Sequence, residues 1–518
     1  MSAEFKKRTA VLLLVMMGLG YAVWSGFLLP NTRHCKDWKS VTTYGYDTLR
    51  SGSVESCIGP RAKIAGTAKV WANTDRILES QLLAINNDDG GEVVYLTDAN
   101  IVFRSLKDPK RAKKIRLGIE AANANSSTPV FDENTGTLYG SVFYLKKTEF
   151  VHRIFSINRA DLKLKFIDVP ADSFSDTKIK LGPMLHCRSS MALDPKTKTL
   201  AIGCSLKRPI VDGKTILTAN NKGVRGGLLL ISLTNNGELP SDPAAVRFFS
   251  PSKITKDLSS GQDSSVWMSG AAPAITQDGK FLFSTGNGKI NPQDSQFGCS
   301  VLMVDPKSGE LLGGVTPALV EPGELKMWCE AWDQGLSASA VTIIHDSKKK
   351  EWVAVNGKDG IFRVFQKSYF NDPKNSIYRW FKMVEEPGFS FGQPLGWLGD
   401  DDALNWVSAA NRPDGWKMFR FRLDPSSQKL EKIWEVEGPK NLNRVSPVLV
   451  RGRMGANRII TSVQDSENSE LWMLDAESGK VISREKFRGM PHFSMPTVLG
   501  QQVLWAVPRV GIVEFKIE

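Results

Sequence analysis

The chain is poor in histidine, with five in 518 residues. His34, His152, His186, His345 and His492 are dispersed, and none stands at a metal-ligand spacing from another. Neither CxxC nor CxxCH occurs, which excludes a cysteine zinc site, a thioredoxin-like motif and a c-type haem. No phosphate loop is present, and no hydrolase triad is expected. Paired carboxylates such as Asp400–Asp401–Asp402 and Glu385–Glu386 are adjacent in loops, so they read as solvated runs. Low-complexity tracts are missing, which confines expected disorder to loops such as 207–223. Helix-length apolar periodicity is scarce past residue 80. Acidic charge is outweighed: 67 Lys and Arg face 55 Asp and Glu, for a net +12. The basic residues are scattered, with no basic helix and no nucleic-acid motif. Nucleic acid is therefore not expected as a partner. A basic surface near anionic lipid, glycan or peptidoglycan suits the charge better.

What is present starts at the N-terminus. Lys6, Lys7 and Arg8 precede an uncharged run from Thr9 to Pro30. Ala10 to Leu29 is long enough for a helix across a ~30 Å hydrocarbon core. The positive cluster keeps the tip in the cytoplasm and sends the remainder outward. A cleaved signal peptide would end in a small-x-small site, which Tyr21, Val23 and Trp24 interrupt. Cys35 follows Asn-Thr-Arg-His and is no lipoprotein cysteine. The expectation is a single-pass anchor in the inner membrane with a periplasmic domain. The six cysteines suit that oxidising compartment. Cys187 and Cys204 flank one hairpin, Cys299 and Cys329 bracket another unit, and Cys35 and Cys57 lie in the N-terminal segment. Six cysteines allow about 15 pairings, so these local pairs are expectations.

Past residue 80 one pattern recurs. STPVFDENTGTLYGSVFYL, SSMALDPKTKTLAIGCS, AAPAITQDGKFLFSTGN and SMPTVLGQQVLWAVP share its first half. LMVDPKSGEL, FRLDPSSQKL and LWMLDAESGK share its second. Asp305, Asp424 and Asp475 open turns that Gly309 and Gly479 close in two cases, because Asp caps a turn and Gly accepts positive φ. Units begin near residues 84, 126, 187, 268, 335, 391, 444 and 492, at a spacing suited to blades with insertions. The predicted fold is all-β: an eight-bladed β-propeller of four-stranded antiparallel blades, with seven blades as the alternative. The last unit is short and needs a strand from the N-terminal region. The expected organisation is 1–30 basic tip and transmembrane anchor, 31–83 tether and early strands, 84–518 propeller.

These units resemble the pyrroloquinoline-quinone repeat of quinoprotein alcohol dehydrogenase-like propellers. That repeat reads Ala-x-Asp-x-x-Thr-Gly followed by a tryptophan that docks between blades. This chain keeps Asp-x-x-Ser-Gly. Trp434 holds the tryptophan's place in one unit, and Gly314 and Phe487 hold it elsewhere. The resemblance covers about residues 84 to 518. In that family a tryptophan floors the quinone, calcium polarises it, an Asp takes the substrate proton, and an Arg or Lys bonds the quinone oxygens. The resemblance carries these roles, in order, to Trp267 in SSVWMSG as floor, Asn287 in STGNG as metal ligand, Asp333 in EAWDQG as catalytic base, and Lys358 in NGKDG as the cation on the quinone. Read alone, each residue also has a structural account: blade packing for Trp267, turns for Asn287 and Lys358, a loop cap for Asp333.

The pattern departs at the metal. Where the family carries a calcium-binding Glu, this chain has Leu206, Lys207 and Arg208. A cation cannot replace a carboxylate on calcium. A substitute would have to come from Asp212, Asp263 or Asp294. The adjacent cysteine pair of many family dehydrogenases is also missing. Two functions follow. One is a quinoprotein dehydrogenase oxidising an alcohol or sugar with pyrroloquinoline quinone and calcium, passing electrons to an external acceptor. The other is a non-catalytic propeller scaffold that binds an envelope protein during assembly, with blade edges and top loops as its docking surfaces.

Overall fold

The computed structural model describes residues 38–56, 58–71, 75–87, 89–119, 127–146, 149–169, 185–206, 210–211, 214–215, 226–242, 245–252, 264–321, 323, 325–331, 335–384, 389–438, 444–464 and 467–518. They form an eight-bladed β-propeller of four-stranded antiparallel blades, so the alternative of seven is set aside. The inner strands of the blades begin at Leu83, Val130, Ala192, Ala274, Thr342, Leu395, Val448 and Thr497. Leu83 stands one residue before its predicted unit start, and the other seven lie shortly after theirs. In every blade we letter the strands a to d from the axis outward. The a strands are apolar and buried, as in Leu83–Ile85, whereas d strands such as Ala112–Arg116 (AKKIR) are largely exposed. The predicted transmembrane anchor and the Cys35–Cys57 pairing lie outside the described residues. No helix among the described residues is long and apolar enough to cross a membrane.

The core is divided into eight apolar clusters, each between two neighbouring blades. The cluster that closes the ring joins Leu499, Leu504 and Ile512 of blade 8 to Ala84, Val93 and Tyr95 of blade 1. Blade-to-blade packing of this kind needs no single central core. Trp434 docks as the repeat requires: its Nε1 donates to Ala476 O at 3.0 Å, and its ring lies against Gly479 of the next blade. A Cβ on Gly479 would meet that ring at 2.8 Å. The Asp turns also form as read. Asp305 accepts from the amides of Lys307 and Ser308, and Gly309 takes φ +74°. In blade 6, Gln428 stands in the left-handed region, at φ +59°, where blades 4 and 7 have glycine.

The two strands before blade 1 are both used at closure. β1, Ser53–Glu55, adds in parallel to the inner edge of blade 7. β2, Ile64–Trp71, pairs antiparallel with Gly511–Ile517 and supplies the d strand that blade 8 lacked. Residues 41 to 52 thread the axis and form a plug. Their backbone bonds the a strands in turn: Val41 to Ala84, Thr42 O from Phe131 N, Thr48 O from Ile275 N, Leu49 O from Ile343 N, Ser51 O from Gly396 N and Gly52 O from Leu449 N. Buried Arg50 locks the plug, donating to Thr43 Oγ1 (2.6 Å) and to the carbonyls of Tyr44, Asp47 and Pro273. One end of the axis is thereby filled by the chain itself.

Candidate functional site

In a four-stranded blade, the d-to-a connections and the b-to-c turns emerge at the same end of the axis. The a-to-b and c-to-d turns emerge at the other. Trp267 lies on the connection into blade 4, Asn287 on the b-to-c turn of blade 4, and Lys358 on the b-to-c turn of blade 5. All three therefore face the end opposite the a-to-b and c-to-d turns, which we call the mouth. Asp333 lies outside the described residues.

The segments that carry these residues abut in series. Gly286 N donates to Ser265 O at 2.7 Å, and Ser264 N donates to the Asn287 carbonyl. Gly335 packs so tightly that a Cβ there would stand 2.6 Å from Asn287 Oδ1. Lys358 N in turn donates to Gly335 O at 3.5 Å. Beneath Lys358, buried Arg363 bridges Asp359 (2.6 Å) and Glu321 (2.7 Å), and Tyr378 bonds the same Glu321. Burial works against the Arg363 charge, but its two carboxylates outweigh it and raise its pKa. That buried pairing fixes the turn bearing Lys358.

Three aromatic rings meet at the mouth. Trp267 stands 5.6 Å from Phe493 and 6.3 Å from Phe391, and those two are 5.6 Å apart. Three cations lie against them. Arg188 is 5.1 Å from the Trp267 ring and 5.8 Å from Phe493. Lys358 is 5.8 Å from both Trp267 and Phe391, and Arg444 is 5.6 Å from Phe391. Distances of this order give cation–π attraction. Burial lowers the pKa of Arg188, with Glu79 opposing it, and burial lowers that of Arg444. Arginine stays charged near neutrality regardless. His492 joins the group between Glu79 Oε2 (3.3 Å from Nδ1) and Arg444 (3.4 Å from Nε2).

The sequence reading found Trp267 and Lys358 and missed Arg188, Phe391, Arg444, Phe493, Glu79 and His492. Glu79 and His492 are 413 residues apart, and only ring closure brings them together. Gly388-Phe389-Ser390-Phe391-Gly392 does match the letters of a nucleophile-elbow motif. Ser390 is nevertheless fully buried, bonds Asn356 Nδ2 (2.6 Å) and the Ala409 carbonyl, and has no histidine partner. It is an inter-strand tie and not an exposed nucleophile.

The mouth brings together three rings, tilted 59–76° against one another, and three cations. Calcium fits less well. Asn287 Nδ2 donates to Cys329 O (3.3 Å), in the short helix Leu325–Ala331 held by the Cys299–Cys329 disulfide, a bond that does not involve Oδ1, the atom a metal would take. Among the described residues no cluster of three His, Cys, Asp or Glu could hold a metal. Lys207, Arg208, Asp212 and Asp263 lie outside them. Asp294 ends a short 3₁₀ turn, Pro292–Asp294. The expected pairs Cys187–Cys204 and Cys299–Cys329 are both formed.

No family model matches the chain, and no curated protein matches it. Solved structures do. The Dos1 propeller is 10% identical at a TM-score of 0.48, over 87% of this chain and 94% of its own. Saccharomyces cerevisiae Sqt1 is 10% identical at 0.46, over 88% and 99%. A Lactobacillus plantarum protein is 11% identical at 0.40, over 76% and 93%. The class of protein, a β-propeller, rests on the chain's own sheets and not on these likenesses.

Proposed function

We propose that the protein is a quinoprotein-dehydrogenase-like propeller whose mouth binds a flat, polyanionic aromatic ligand of the pyrroloquinoline-quinone class. The observation that carries this reading is the convergence of Trp267, Phe391 and Phe493 with Arg188, Lys358 and Arg444 at one end of the axis. Stacking on one ring face, with edge contact to the two rings tilted against it, would supply apolar contact, and the cations would supply charge-assisted hydrogen bonds to carboxylates. Bound there, such a quinone would accept hydride equivalents from an alcohol or sugar. Asp333 is the proposed proton acceptor and Asn287 the proposed metal ligand, by resemblance. The two disulfides support a periplasmic domain, held to the inner membrane by residues 10–29.

Calorimetric titration of the full chain with pyrroloquinoline quinone, with calcium and with a chelator, tests the reading. Saturable binding that Lys358→Ala weakens supports it, and dye-linked turnover abolished by Asp333→Ala extends it to an enzyme. No heat and no thermal shift with any divalent metal would remove it. The residues Leu206–Lys207–Arg208, in place of a calcium-binding Glu, favour a second reading. In that reading the ligand is bound without turnover, or the propeller serves only as a scaffold for an envelope protein.

A further inference from the structure

The plug lies against the connections that carry the mouth, and one plug side chain, Tyr44, is linked to several of them. Tyr44 is fully buried and packs in one apolar cluster with Met268 and Met495. Met268 follows Trp267, and Met495 lies two residues beyond Phe493. The Tyr44 hydroxyl stands 2.8 Å from Ser446 Oγ, two residues beyond Arg444. The same Ser446 Oγ accepts from Gln393 N at 2.9 Å, two residues beyond Phe391. Gln393 then bonds back to the plug through its Nε2 and the Arg50 carbonyl. Two of the four connections that bear mouth residues are thus tied to Tyr44 through Ser446, and the other two share its apolar cluster.

The backbone there is not relaxed. Met268 and Ser269 take φ +46° and +45°, and Phe493 takes φ +51°. Non-glycine residues hold such angles only where their surroundings over-determine them. Tyr44 belongs to those surroundings.

We infer that Tyr44, carried on the axial plug, is a positioning residue that sets the spacing of Trp267, Phe391, Arg444 and Phe493 for the ligand. This rests on the reading that the mouth binds one. The plug is then more than a closure. A segment ahead of blade 1 shapes the site at the far end of the axis, and the chain before residue 38 is joined directly to it.

The test uses the full chain and Tyr44→Phe, which keeps the ring and removes the bond to Ser446. Ser56→Ala is the control. It removes a comparable bond, Ser56 Oγ to Gly500 O (2.6 Å), at the a-to-b turn of blade 8. One lost hydrogen bond corresponds to a roughly three- to tenfold change in an equilibrium constant. Tyr44→Phe is expected to weaken pyrroloquinoline-quinone binding by about that factor, and Ser56→Ala to leave it unchanged. In unliganded protein, Tyr44→Phe should speed amide exchange at Gln393 and across 444–447, while Ser56→Ala should not. Equal affinity and equal exchange in Tyr44→Phe and wild type would overturn the inference. If the quinone binds neither protein, the ligand reading fails alone and the exchange arm still decides: faster exchange in Tyr44→Phe supports the positioning role, unchanged exchange ends it.

Discussion

The two ends of the axis are built from the same strands and put to different uses. At the plug end, buried polar groups are spent on one another. Arg50 alone makes four hydrogen bonds, three of them to backbone carbonyls. At the mouth, cations lean on aromatic faces and meet on a triangle of rings. The first arrangement fastens blades. The second gathers charge and aromatic rings at one place. Stability and binding should therefore respond to different substitutions.

The largest expected effect tests that separation where the two meet, just under Lys358. Arg363→Met leaves Glu321 and Asp359 buried without their cation. Breaking one side of a buried ion pair costs about 3–5 kcal/mol, to be read as a lower urea midpoint. Arg50→Met comes next. It removes Arg50's four side-chain bonds and should cost about 2–4 kcal/mol. If either substitution left the unfolding midpoint where it was, fastening would have to be sought elsewhere.

A smaller effect depends on pH. His152 is buried in blade 2, and neither ring nitrogen has a hydrogen-bond partner among the described residues. Burial lowers its pKa from 6.5 to about 3. Between those values the unfolded chain binds the proton and the folded chain does not. Stability therefore falls as pH drops through that window, by up to ~1.4 kcal/mol per unit. Unfolding midpoints at neutral and mildly acid pH would show the slope, and His152→Phe should flatten it. The smallest effect is a gain. Gln428→Gly relieves the left-handed turn of blade 6 and should raise stability by about 0.5–1 kcal/mol. A loss there would mean that the Gln428 side chain matters more than its backbone angle.

The blades were legible in the sequence because their information is local. Each Asp-opened turn and each strand pair lies within a few tens of residues, and so do Cys187 and Cys204 across their hairpin. The need for a closing strand could be read from the short last unit, and Ile64–Trp71 meets it. The plug was not legible. It gives six of the blades one or two backbone bonds each, which leaves no side-chain pattern to read. The mouth was half legible. Trp267 and Lys358 lie in the stretches that carry the family resemblance, whereas Arg188, Phe391, Arg444 and Phe493 lie on connections that share no pattern. Their meeting depends on the closed ring.

A crystal structure of the full chain soaked with pyrroloquinoline quinone tests the central claim most directly. The account predicts planar density against the Trp267–Phe391–Phe493 cluster, stacked on one of its ring faces, its carboxylates within hydrogen-bond reach of Arg188, Lys358 and Arg444. A mouth with no such density, or quinone bound only at the plug end, would contradict it.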